Sequence, residues 1–127
     1  MIVGIGVDLC AISRINDAVS RHGDCFAKRI LAPKEFAELN GLNHSMRAAF
    51  LAKRFAAKEA VAKALGTGIG RGFGFRDVTI THDELGRPVV VLNTENSSLA
   101  ATAQYRTHLS ISDERTHVIA FCTIESN

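Results

Sequence analysis

The sequence predicts an α+β fold in which an antiparallel sheet packs on one long helix, and three observations carry that prediction. Apolar residues between Ser45 and Leu65 fall on two nearly opposite faces of a helix. Short strand-like runs recur near the start, in the middle and at the end of the chain, the last two joined by a tight link. No repeat, low-complexity tract or linker interrupts the 127 residues, so one domain spanning 1–127 is expected.

Residues 2–8 (IVGIGVD) are β-rich and apolar until Asp8, which reads as a buried strand ending on a carboxylate. A helix starting near Leu9 follows, with Ile12, Ile15 and Val19 at helical spacing, until His22-Gly23-Asp24 breaks it. A short helix from Cys25 to Leu31 comes next, and Pro33 then opens another through Leu39, closed by Asn40-Gly41. The long helix takes Ser45 as its N-cap and Gly66 as its stop. Met46, Phe50, Ala57, Val61 and Ala64 share one face and Leu51, Phe55 and Ala62 lie nearly opposite, so this helix should be largely buried and its charges need partners. A glycine-dense loop, TGIGRGFGF, leads to a strand from Arg76 to Thr81. After a turn over Asp83–Pro88 comes a second strand, Pro88–Leu92. Residues 95–104 suit a short helix, and Thr107–Ser112 with His117–Ile124 form a closing hairpin.

The composition narrows the function classes. Hydrophobic residues make up 46% of the chain, but Trp is absent and Ala is frequent, so the core is thin and a partner subunit is expected to complete it. Cys10, Cys25 and Cys122 form neither a CxxC pair nor a disulfide framework, which fits reducing cytoplasm. The first residues lack the basic start of a signal peptide, and no stretch approaches a membrane span. The net charge of +2 is unevenly spread: from His44 to Arg76 seven Lys or Arg face Glu59 alone, a net of +6 that leaves −4 elsewhere. Such a concentrated basic zone points to an anionic ligand at one place rather than to general adhesion to nucleic acid.

Three features carry candidate chemistry. On the long helix Phe55, Glu59 and Lys63 form one stripe at four-residue spacing. The plainer interpretation of Glu59 and Lys63 is a local ion pair worth about 0.3 kcal/mol. Asp8 has a plain interpretation too, as cap of the helix that follows. Alternatively, two carboxylates from separate elements share one magnesium ion, which prefers a few hard oxygen ligands together with water and substrate phosphates. The loop Gly66-Thr67-Gly68-Ile69-Gly70-Arg71-Gly72 follows a helix rather than a strand, so it is no dinucleotide fingerprint, and it lacks the GK[ST] of a P-loop. Its freed backbone N–H groups still suit a phosphate. The third feature, His108-Leu109-Ser110-Ile111-Ser112, alternates as a strand with polar groups on one face.

Together these residues resemble the acyl carrier protein synthase family, the short bacterial branch of the phosphopantetheinyl transferases. The resemblance rests on Gly4-Ile5-Gly6-Val7-Asp8, Arg54-Phe55-Ala56-Ala57-Lys58-Glu59-Ala60 with Lys63, Ala64-Leu65-Gly66-Thr67-Gly68-Ile69, and His108 to Ser112, in family order over almost the whole chain. It implies transfer of the 4′-phosphopantetheine arm of coenzyme A to a serine of acyl carrier protein, with release of 3′,5′-ADP. It also implies a homotrimer with active sites between subunits, and a Mg2+ ion held by Asp8 and Glu59. Lys63 would join these two in catalysis. Arg54, Lys63, Gly66, Thr67, Gly68, Ile69, His108 and Ser110 would contact coenzyme A, and Arg14 and Arg21 would meet the carrier protein. Phe55 stands where many relatives have Trp, and Asp113 where some have His. Glu59, a metal-adjacent water and Glu35 are the candidates for the base. Two rival classes are a magnesium-dependent nucleotide hydrolase, which needs no acceptor protein, and a small RNA-binding module, which needs exposed aromatics beside its cations.

Overall fold

The structure is a computed structural model and describes all residues, 1–127. Strand β1 (Ile2–Ala11) leads into helices α1 (Ile12–His22), α2 (Asp24–Ile30), α3 (Pro33–Asn40) and the long α4 (His44–Ala64). Strands β2 (Val78–His82) and β3 (Pro88–Leu92), a 3-10 helix (Ser97–Gln104), and strands β4 (Tyr105–Asp113) and β5 (His117–Ser126) complete the chain. The α+β architecture with antiparallel pairing is as the sequence predicts. Its strands form two sheets: β1-β5-β4 is three-stranded, and β2-β3 is a separate hairpin. Between β3 and β4 the 3-10 helix buries Leu99, and β3 lies beside β4 without joining its ladder.

β5 holds the centre of the larger sheet because alternate residues Val118, Ala120, Cys122 and Ile124 are all buried on its inner face. α4 packs across that face through Ala56, Ala57, Ala60, Val61 and Ala64, so it is buried as expected. One apolar cluster joins α1 to α4 with both sheets.

β1 is not the buried strand its apolar run predicts. Gly4, Gly6, Asp8 and Cys10 face inward, while Ile5, Val7 and Leu9 are 65%, 48% and 63% exposed. The reason is the closeness of α4: a Cβ on Gly4 would stand 1.9 Å from the Ala64 carbonyl oxygen, and one on Gly6 2.0 Å from that of Ala60. Only glycine lets helix backbone and strand backbone approach so nearly. With Ile119 and Phe121 of β5, the displaced apolar side chains form an uncovered outer face.

Several boundaries also move. β1 continues to Ala11, which occupies the N-cap position of α1 without a side-chain cap, so Asp8 is not a capping residue. α4 begins at His44 with Asn43 before it, which places Ser45 inside its first turn. β2 starts at Val78 because Phe75–Asp77 forms a 3-10 turn closed by the Asp77 carboxylate on the Gly74 N–H at 3.0 Å.

The charges on α4 find partners in Glu35, which is wholly buried. Its carboxylate accepts from Ala32 N at 2.9 Å, Lys58 Nζ at 2.5 Å and Ile80 N at 3.1 Å, with Arg54 Nε at 3.6 Å. Lys58 also donates to the Ile30 carbonyl at 2.6 Å. Arg54 donates to the Ile80 carbonyl and to Glu38 Oε2, both at 3.1 Å. Burial pushes the Lys58 ammonium below the ordinary lysine value, against the opposing pull of Glu35. The network fastens α2, α3, α4 and β2 to one another.

Candidate active site

Asp8 projects from the inner face of β1 two residues beyond Gly6, and Glu59 and Lys63 project from α4 one turn apart. The local Glu59–Lys63 pair, the plainer alternative, does not form. Lys63 Nζ instead crosses to β1, donating to the Val7 carbonyl at 2.9 Å and to Asp8 Oδ1 at 3.3 Å. The Asp8 side chain is 16% exposed and that of Lys63 51%, so the cluster opens to solvent on the lysine side. Burial, and then the negative charge of Asp8, push the Glu59 carboxyl above the ordinary glutamate range, while Lys63 and Arg14 pull it back. Asp8, Glu59, Lys63 and Arg14 are therefore within electrostatic reach of one another.

No third Asp, Glu, His or Cys joins the two carboxylates. That donor set fits magnesium, which keeps several waters and takes phosphate oxygens from a substrate, better than a fully protein-ligated metal. Burial contributes most to raising Glu59, and the Asp8 repulsion that adds to it is what a divalent cation held by the two carboxylates would relieve.

The glycine loop leaves α4 directly beyond Lys63. Gly66 N donates to the Lys63 carbonyl at 3.0 Å, and Gly68 N to that of Ala62 at 3.1 Å. Gly66 turns the chain at φ +84°, a left-handed conformation open to glycine. Thr67 is exposed and Gly68 and Ile69 are half-buried. The loop thus begins beside the Asp8–Glu59–Lys63 cluster, with short backbone reach between them.

Other expected site residues lie apart from it. Arg54 is 3% exposed and its guanidinium is taken up by Glu35, Glu38 and Ile80, so this structure gives it no free face for coenzyme A. Lys58 is likewise internal, which reduces the basic zone read from sequence to its outward members. Glu35 is removed from the candidate bases by its full burial and its contacts with Lys58, Arg54 and two backbone N–H groups. His108 and Ser110 sit on the outer face of β4, on the opposite side of the sheet from Asp8. There His108 Nε2 lies 2.9 Å from Glu125 Oε2. Arg87 and Arg106, which sequence reasoning missed, line a groove with His108 between β3 and β4. Arg14 and Arg21 on α1 border an open depression that also holds Phe26 and Arg29 of α2. Asp113 forms an exposed pair with Lys53 at 3.6 Å.

A sheet backed by an alanine-rich helix, with paired carboxylates, a lysine and a glycine loop at one end of that helix, suits an enzyme that handles phosphate groups. The family model of the 4′-phosphopantetheinyl transferase superfamily matches residues 4–122, and the chain belongs to that superfamily. Within it, the chain is 48% identical to the holo-[acyl-carrier-protein] synthase of Vibrio cholerae serotype O1, covering 98% of each. It is also similar to the solved holo-[acyl-carrier-protein] synthase of Neisseria meningitidis, with TM-score 0.89 and 42% identity over 99% of this chain and 100% of that one. The enzyme from Bacillus anthracis, solved in complex with CoA (3′,5′-ADP), matches with TM-score 0.86 and 38% identity over 100% of this chain and 99% of that one.

Proposed function

We propose that this chain transfers the 4′-phosphopantetheine arm of coenzyme A to a serine of an apo acyl carrier protein in the cytoplasm, releasing 3′,5′-ADP, with Asp8 and Glu59 sharing a magnesium ion. The observation that carries this reading is the convergence of Asp8, Glu59 and Lys63 from β1 and α4 beside the glycine loop. The serine Oγ forms a bond to the β-phosphorus of coenzyme A as the bond from that phosphorus to the ADP phosphate oxygen breaks. When bound, magnesium supplies Lewis-acid charge at the pyrophosphate. The Lys63 ammonium offsets negative charge growing on the leaving phosphate, and the loop N–H groups orient it. The serine proton passes to Glu59 or to a water beside it.

The remaining parts of the reading are spatial. His108 and Ser110 face away from Asp8 within one chain, so coenzyme A reaches them only if a neighbouring subunit supplies that face. The uncovered apolar patch of Ile5, Val7, Leu9, Ile119 and Phe121 supports such an association, as a homotrimer. Arg14 and Arg21 border the depression proposed to receive the acidic carrier. No helix is long and apolar enough to cross a membrane. The aromatics beside the basic zone do not favour RNA: Phe55 stacks on Phe75 at 5.3 Å, and Arg54 covers Phe50 at 4.6 Å.

Mixing the protein with coenzyme A, magnesium and an apo carrier, then weighing the carrier by mass spectrometry, tests the proposal. The carrier should gain one phosphopantetheine arm as an equal amount of 3′,5′-ADP appears. Cleavage of coenzyme A with an unchanged carrier would support the hydrolase reading instead.

A further inference from the structure

The far end of the glycine loop is held by residues that play no part in the site described above. Both donors and the oxygen of the Asn96 side-chain amide are engaged. Its Nδ2 donates to the Gly72 carbonyl and to Asp77 Oδ2, both at 3.0 Å, and its Oδ1 accepts from Ser98 N at 3.0 Å. Asp77 is itself fixed: it accepts from Gly74 N at 3.0 Å and from Asn93 Nδ2 at 2.9 Å, and its carbonyl accepts from Asn93 N at 2.8 Å. Burial pushes the Asp77 carboxyl up, but its hydrogen bonds with Gly74, Asn93 and Asn96 together carry it below the ordinary aspartate range, so it stays ionised. Gly72 has φ +93°, and a Cβ there would lie 2.4 Å from Ser98 Oγ, so the start of the 3-10 helix sits directly on the loop.

The loop is therefore tied at both ends, by α4 at Gly66 and Gly68 and by Asn96 at Gly72. We infer that Asn96, anchored by Asp77, is a positioning residue for coenzyme A, holding the loop so that the backbone N–H groups not already bonded within the chain, among them those of Thr67, Ile69 and Arg71, stay available to the ligand phosphate. The inference rests on the proposed reading that this loop contacts coenzyme A. Asn96 touches no substrate in this scheme. It removes freedom from a segment with four glycines, Gly66 to Gly72, that would otherwise lose it on binding.

The test is calorimetric titration of the full-length protein with 3′,5′-ADP, alongside steady-state kinetics, for Asn96→Ala, Asn96→Asp and Asp77→Asn. Asn96→Asp removes both donors and sets a second carboxylate against Asp77, so it should be the most severe of the three. Affinity for 3′,5′-ADP should fall and KM for coenzyme A should rise, each about tenfold. KM for the carrier and the affinity for magnesium should hold, while the melting temperature of Asn96→Ala should fall by only a few degrees, as loss of a helix cap does. Gly68→Val, which strains the loop itself at φ +71°, serves as the comparison. If Gly68→Val weakens 3′,5′-ADP binding and every Asn96 and Asp77 variant leaves it unchanged, the clamp is refuted and the loop reading stands. If none of the variants changes it, the loop reading fails and the clamp with it. Equal losses for coenzyme A and carrier would reduce Asn96 to a structural residue and overturn the inference.

Discussion

Lys63 turns away from Glu59, one turn behind it on the same helix, and bonds Asp8 on the neighbouring strand at 3.3 Å. Glu59 is left with a carboxylate neighbour, partial burial and no cation of its own within bonding distance. The site is thus assembled with a deficit of positive charge at one defined place, and the first two predictions follow from that imbalance.

Glu59 costs the folded protein stability when it is ionised. Its folded pKa is raised above the ordinary value, so between the two the folded state holds a proton that the unfolded chain has released. Stability therefore falls as pH rises through that window and the cost remains above it. Glu59→Gln should melt at a higher temperature than the parent at pH 7 without divalent ions, and the gain should vanish below about pH 4. Magnesium should close the gap by stabilising the parent alone. A variant no more stable than the parent at neutral pH would remove this account.

Asp8→Asn and Glu59→Gln should each retain folding and lower turnover by about 10²-fold, with partial recovery at raised magnesium. Because Asp8 lies within β1 and caps nothing, its loss of charge has no helix to destabilise. If both side chains serve one ion, as proposed, the double variant should be little worse than either single. Full activity in Asp8→Asn, measured with saturating coenzyme A, would contradict the shared site.

Lys58→Met should destabilise the protein by about 3–5 kcal/mol in denaturant unfolding, since it leaves the Glu35 carboxylate buried beside fewer cations. The double variant Glu35→Gln with Lys58→Met should recover much of that loss. An effect near zero for Lys58→Met would show that the pair is solvated rather than internal.

A carboxylate introduced on the uncovered face, as in Phe121→Asp, should leave the monomer folded but shift sedimentation equilibrium from trimer to monomer, with activity lost in parallel. Phe121 is 46% exposed in the single chain, so the substitution disturbs association before it disturbs the core. A trimeric parent whose Phe121→Asp variant remains trimeric would move the interface elsewhere.

Arg21→Glu should weaken carrier binding and flatten its dependence on ionic strength, while coenzyme A affinity holds. Arg21 is the cleaner probe of the two arginines, because Arg14 acts electrostatically on Glu59 and its reversal would alter the carboxylate site as well. Equal loss for both substrates in Arg21→Glu would withdraw the assignment.

The features that local periodicity encodes were legible in the sequence. The two-sided apolar pattern of α4, the stop at Gly66 and the final hairpin are properties of neighbouring residues, and the structure has them. What depends on distant partners was hidden. Lys58 and Lys63 look alike in sequence, yet one meets Glu35 from another helix and the other meets Asp8 from β1. The resemblance makes Arg54 a ligand contact, and nothing near it in sequence signals its enclosure by Glu35 and Glu38, which lie 16 or more residues away. The facing of β1 is hidden for a related reason. Strand periodicity identifies two faces, but which one is inward was decided by the room left beside α4, where an isoleucine does not fit and a glycine does.

The contact of Gly4 and Gly6 with the Ala64 and Ala60 carbonyls has a consequence for how the enzyme can vary. Most core spacings drift as side chains exchange volume, because one rotamer yields to another. Here peptide meets peptide, and no rotamer lies between them to yield. The gap between the strand bearing Asp8 and the helix bearing Glu59 is gauged by main-chain van der Waals radii, a dimension that substitution can widen only by forcing the two apart. A gap set to such a tolerance keeps its width through sequence drift elsewhere, and widening it requires moving a whole helix.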